Sequence, residues 1–227
     1  MRLFNDESLL MRILGRAADL LWINILTLIC SIPIVTAGAS LTAMHSVLLQ
    51  MVRNEEGYLT RSFFKAFCGN FRQATVIWVM LLSFFLVFVA DLYLFGLTDT
   101  AVPEVFKALL IVTAFFMLCV STMVFPFLAR FENTVMNTMK NAVLFTLGQF
   151  PRILLMLLMG ICSPVLLFLL PKAIPLVLLF GISVPSYGAA VLYDKPFTLL
   201  EKRIQLQEGR TETGETSPGR KTNEDME

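Results

Sequence analysis

The sequence predicts an all-α fold: a polytopic transmembrane helix bundle with amphipathic helices on its cytoplasmic side. Three observations predict it. Residues 20–52, 108–129, 153–171 and 173–193 contain no Asp, Glu, Lys or Arg, and residues 74–97 contain one, Asp91. A helix rises about 1.5 Å per residue, so about 20 apolar residues cross a hydrocarbon layer of about 30 Å. The 227 residues are 56% hydrophobic and 15% charged, with mean hydropathy +0.73, whereas soluble domains carry about 25% charged residues. The cations gather in alternate connections, as expected when charge sets orientation in a membrane.

Taken in order, residues 5–19 read as a helix before the membrane. Asn5 or Asp6 can cap it, and Leu9, Leu10, Ile13, Leu14 and Ala17 form one stripe. Residues 1–39 also carry the outline of a cleavable leader ending at Ala37-Gly38-Ala39. Asp6, Glu7 and Asp19 and the apolar continuation to Val52 argue against cleavage. As one straight helix, residues 20–52 would be about 50 Å long, too long for the layer. Pro33 and Gly38 lie near the middle, so two helices are expected, at 12–32 and 38–54, with Gly38 free to take φ > 0. Further membrane helices follow at 74–97, 108–129, 153–171 and 173–193, which makes six segments. A single crossing at 20–52 would make five.

The connection 53–73 holds Arg53, Arg61, Lys65 and Arg72. The connection 130–152 holds Arg130, Lys140 and Arg152, and the two chain ends are also basic near the membrane. The positive-inside rule puts all four in the cytoplasm. Phe63, Phe64, Phe67 and Phe71 share a helical face beside cations, as in a helix lying at headgroup level. Phe131, Val135, Met139, Val143 and Leu147 recur every four residues in a second amphipathic segment. The two segments, each followed by an apolar helix, form a short internal repeat. Residues 1–200 are thus the transmembrane domain, and the polar residues 201–227 are an expected disordered tail.

Net charge is +1, which offers no basic field for nucleic acid. Cys30, Cys68, Cys119 and Cys162 form neither a zinc spacing nor a redox pair, and read as small apolar residues. No cofactor motif, paired carboxylates or Ser/His/Asp set is present, so no enzymatic activity is expected.

The element Pro33-x-Val35-Thr36-x-Gly38-Ala39, followed by Phe63-x-x-x-Phe67-x-x-Asn70-Phe71-x-Gln73, resembles the YesL-like family of bacterial membrane proteins. The similarity extends to about residue 200, and the polar tail departs from it. The resemblance implies a multi-pass protein of the bacterial cytoplasmic membrane with no established activity. It also implies genomic association with carbohydrate uptake and polysaccharide degradation.

Eight residues stand out as candidates for binding or gating. Asn24, Thr27 and Ser31 follow one face of the first membrane helix, where such residues also serve as interhelical glue. Pro33, Thr36 and Gly38 mark the helix break, and broken membrane helices often line sites, though a tight turn gives the same pattern. A second break is expected within residues 183–190, at Pro185 and Gly188. His45 is the only histidine and suits either proton coupling or neutral packing near Thr42. Asp91 is placed to pair with Lys107 across an outer loop, or to act within the membrane. The expected role is an accessory component of carbohydrate uptake, in contact with membrane lipid and a sugar ABC-transporter permease or other membrane protein. The alternative is a small transporter or channel with its site at the broken helices.

Overall fold

The computed structural model describes residues 3–55, 57–97, 104–131 and 134–212. The described residues form helices and no strands: α1 (Leu3–Cys30), α2 (Ala37–Val52), α3 (Leu59–Leu97), α4 (Glu104–Arg130), α5 (Val135–Gly148), α6 (Phe150–Leu169), α7 (Ile174–Phe180) and α8 (Ser183–Glu212). Short 3₁₀ turns at Ile34–Thr36 and Pro171–Ala173 precede α2 and α7. Five helices are long and apolar enough to cross a membrane. A sixth span arises if Pro171–Phe180 and Ser183–Leu206, bent by 51°, count as one.

Residues 20–52 do fold as two helices. After α1 ends at Cys30, Pro33 takes an extended conformation (φ −73°, ψ 112°) and α2 restarts after the 3₁₀ turn. Helix α2 is the central rod, with Ala39, Ala43, Met44, Val47, Leu48 and Met51 buried. Its other end closes in a Schellman turn. Asn54 adopts φ 55°, its N–H donates to Met51 O (3.2 Å), and Glu55 N–H donates to Gln50 O (2.9 Å). Arg16 of α1 donates to the same Met51 carbonyl (2.8 Å) and to Asn54 Oδ1 (2.8 Å), a cation at the negative end of a helix.

The core sits where α2, α3, α4 and α5 meet. Ala39, Ala74, Ile77, Leu81, Val120, Val124 and Ala142 are buried there. Trp78 and Phe125 pack with ring centroids 6.0 Å apart. By contrast, Leu86, Val89, Leu109, Val112, Leu158 and Phe168 are exposed, apolar surface on a scale that lipid covers.

Three expectations are corrected. The Phe-rich segment is not a separate interfacial helix: it is the first third of α3, which runs unbroken for 39 residues, about 58 Å. No proline interrupts it, and Asn70 returns its amide to Ala66 O (3.1 Å) within the helix. Phe63 is buried while Phe64 and Phe71 are exposed, so the stripe is divided between core and surface. The internal repeat therefore fails structurally, because α5 and α6 are separated at Gln149 where α3 is continuous. Lastly, residues 201–212, expected to be disordered, continue α8. Glu201, Lys202, Arg203, Gln205 and Gln207 are all good helix formers. Residues 213–227 lie outside the described residues.

In the second amphipathic segment the helix begins at Val135 rather than Phe131, and residues 132–133 lie outside the described residues. Val135, Met139 and Val143 pack on the core, while Leu147 is exposed. The chain divides into two compact units between Leu192 and Tyr193. In the second, the rings of Tyr193 and Phe197 lie 5.0 Å apart and Thr198 donates to Asp194 O (3.0 Å).

Candidate functional site

Two helix breaks, a cavity and a cleft are the places where this bundle departs from simple packing. At the first break, Thr36 Oγ1 donates to Cys30 O (2.6 Å) and Pro33 O (2.8 Å). Trp78 Nε1 of α3 donates to Ile34 O (2.7 Å), and Ser40 Oγ of α2 donates to Thr27 O (2.8 Å). The carbonyls of Thr27, Pro33 and Ile34, which already accept from the Ser31, Thr36 and Ala37 N–H groups, thus take a second bond from a side chain, and Cys30 O at the end of α1 takes one from Thr36. Gly38 is helical and needs no positive φ. It is required for another reason: a Cβ there would lie 2.5 Å from Trp78 Cβ and 2.7 Å from Ala74 O. The glycine lets α2 touch α3.

The second break falls between α7 and α8 at Gly181 and Ile182, not at Pro185 or Gly188. Pro185 occupies the first turn of α8, where a missing N–H costs nothing. Gly188 is helical and faces Met159 Sδ, 3.0 Å from a would-be Cβ. The polar stripe on α1 supplies this joint. Asn24, fully buried, donates Nδ2–H to Leu178 O (2.7 Å) and accepts at Oδ1 from Ile182 N–H (3.2 Å) and Ser183 N–H (2.9 Å). Ser163 of α6 donates to Gly181 O. One amide therefore serves the last carbonyl end of α7 and the first amides of α8, four orphan groups being normal at each helix end.

The eight sequence candidates do not converge. Asn24 belongs to the second break. Pro33, Thr36 and Gly38 belong to the first. Thr27 joins both α1 and α2, since it donates to Ile23 O (2.8 Å) and its carbonyl accepts from Ser40. Ser31 sits at the end of α1, its N–H donating to Thr27 O (3.0 Å). His45 lines a cavity of about 360 Å³ between α2, α3, α4, α6 and α8, with Trp78, Ser121, Thr122, Phe125 and Ser186. Thr42 donates to Gly38 O (2.8 Å) within α2. Asp91 is half-buried near the far end of α3, and Lys107 is exposed in the first turn of α4. Residues 98–103, the connection between their helices, lie outside the described residues.

Sequence reasoning missed Trp78, Ser40 and Ser163, whose roles depend on which helices become neighbours. It also missed a polar cleft of about 970 Å³ where α2, α3 and α5 meet. Ser46 and Gln50 face it from α2, Lys65 and Arg72 from α3, and Asn137 from α5. Lys65 was legible as a cation beside the Phe stripe, but nothing in the sequence paired it with α2. Among the described residues, no three His, Cys, Asp or Glu side chains come together as metal ligands.

Residues 20–92 match the model of a family described as a protein of unknown function, DUF624. That stretch covers the last eleven residues of α1, all of α2 and most of α3, including the first break and its Trp78 lock. No curated protein and no solved structure matches the chain.

Proposed function

We propose that this chain is a YesL-like protein of the bacterial cytoplasmic membrane, with both termini in the cytoplasm. It serves carbohydrate uptake as a non-catalytic accessory or regulatory subunit in contact with a sugar permease. The DUF624 match over residues 20–92 is consistent with the YesL-like reading, because it contains both motifs that carry it.

One observation favours an accessory subunit over the alternative, a small transporter or channel with its site at the broken helices. Transporters leave the backbone groups of a broken helix to a solute or ion. Here the carbonyls of Cys30, Pro33, Ile34, Leu178 and Gly181 and the amides of Ile182 and Ser183 are taken by Thr36, Trp78, Asn24 and Ser163. Such joints hold shape and offer a passing solute few partners. The large apolar faces of α3, α4 and α6 leave ample room for another membrane protein.

Two experiments separate the readings. Tagged protein extracted in mild detergent should carry a sugar permease with it. Purified protein alone, reconstituted in vesicles, should not accelerate entry of labelled mono- or oligosaccharides. Sugar entry that depends on the protein, with no co-purifying permease, would replace the accessory reading with the transporter.

A further inference from the structure

We propose that the cleft between α2, α3 and α5 is a binding site for a phosphate-bearing ligand, either an anionic phospholipid headgroup or a soluble phosphate ester. The proposal does not depend on the accessory role. Lys65 and Arg72 both line the cleft. They are seven residues apart on α3, two turns along one face, with heads separated by an axial rise of about 10 Å. Gly69 lies between them and leaves the floor open, since a Cβ there would meet nothing within 4 Å. The opposite wall carries Ser46 and Gln50, one turn apart on α2, and Asn137 closes the third side. Among the described residues no carboxylate lines the cleft.

This set of groups selects an anion. Hydroxyls and amides alone would suit a neutral polyol equally well. Two cations with no carboxylate among the described lining residues call for negative charge, and a guanidinium presents paired donors matched to phosphate oxygens. The volume, about 970 Å³, is at the upper end for small-molecule sites and accommodates a phosphodiester with its glycerol. Depth points the same way. From residue 74 onward α3 runs a further 24 residues with Asp91 its one charge, about 36 Å, enough to cross the hydrocarbon layer alone. Lys65 and Arg72 precede that stretch and so stand at headgroup level, where cation-lined pockets between membrane helices meet lipid phosphates.

The test uses full-length protein in neutral detergent, with bound adducts counted by native mass spectrometry. The probes are phosphatidylglycerol, phosphatidylcholine and glycerol 3-phosphate. Wild type should retain phosphatidylglycerol over phosphatidylcholine. Lys65→Gln/Arg72→Gln should weaken that retention about 30-fold, as each cation near an anionic surface is worth about a five-fold factor. Arg61→Gln/Lys140→Gln removes the same charge from exposed positions outside the cleft and should leave retention nearly intact. Glycerol 3-phosphate binding with the same dependence on Lys65 and Arg72, and no phosphatidylglycerol retention, would support the site with a soluble ligand. Equal losses in the two double variants would overturn the proposal in favour of diffuse surface charge. So would undiminished binding of both phosphate probes by the cleft variant. If that variant does not extract as folded protein, Gly69→Leu decides the matter. Its Cβ meets nothing within 4 Å, so it places an apolar side chain on the floor and should lower retention while the protein stays folded; unchanged retention there would equally overturn the site.

Discussion

Asn24 carries three hydrogen bonds, to the backbone of α7, of α8 and of the joint between them, so its removal leaves several buried groups without partners at once. Asn24→Leu should lower stability by about 1–3 kcal/mol, the cost of stranding buried backbone polar groups. A thermal melt in detergent measures it, and a melt unchanged from wild type would mean water replaces the amide at no cost. Gly38 and Gly188 make a graded pair. At Gly38 the obstacles to a Cβ are Trp78 Cβ and the Ala74 carbonyl, neither of which can swing aside. At Gly188 the obstacle is the flexible end of Met159. Gly38→Ala should therefore reduce the yield of folded protein and Gly38→Val reduce it further, whereas Gly188→Ala should be extracted like wild type. Comparable yields for Gly38→Val and wild type would show that α2 can move off α3. The sequence singled out Asn24 and Gly38 because polar residues and glycines are conspicuous in an apolar run. Their partners were not legible. Trp78 and the 178–183 segment lie 40 and about 155 residues away, and only tertiary packing brings them near.

At the scale of elements, periodicity and composition located almost every helix, and errors fell at junctions. The break in residues 20–52 was legible because Pro33 interrupts an otherwise continuous run. The break before α8 was expected at Pro185 and Gly188, but proline is harmless in a first turn, and the chain bends at Gly181, two residues ahead of Ser183. The change from amphipathic to apolar character near residue 73 predicts a junction where α3 has none. Hydrophobicity changes there, but backbone preference does not, and the helix runs through. The end of α2 offers a test of an element boundary. Asn54 holds φ 55°, a conformation that costs a β-branched residue about 1–2 kcal/mol more. Both variants lose the exposed bond from Arg16, so Asn54→Gly should melt only slightly below wild type, while Asn54→Val should be less stable than Asn54→Gly by about that amount. Equal melts for the two would mean the turn relaxes into another shape.

For the whole molecule, the distribution of Arg and Lys predicts an even number of crossings with both chain ends on the cytoplasmic side. Among the described residues five helices pass as spans on their own, and the bent α7–α8 pair makes a sixth if it crosses as one span, so the orientation of the C-terminus depends on how that pair sits in the membrane. Alkaline phosphatase joined after Arg16 or after Lys202 should be inactive, and joined after Thr98 active. Activity at Arg16 would reverse the first crossing. Activity at Lys202 alone would mean that the bent pair re-enters on the side it left. The helical, membrane-embedded character of the chain was legible because apolar length is a property of the sequence itself. The cleft at Lys65 and Arg72 was not, because it is a relation among three helices whose order of packing the apolar pattern leaves open.

The bond between Asn24 and the α7–α8 joint also has a bearing on synthesis. The donor leaves the ribosome early, and its acceptors at Leu178, Ile182 and Ser183 emerge more than 150 residues later. Throughout that interval α1 holds a primary amide at membrane depth with its final partners not yet made. A nascent chain halted after α6 would therefore be a species with an unmet polar group facing lipid, the kind of defect that membrane quality-control proteases and insertases recognise. The bonds that satisfy the first helix can form only when translation has passed residue 183.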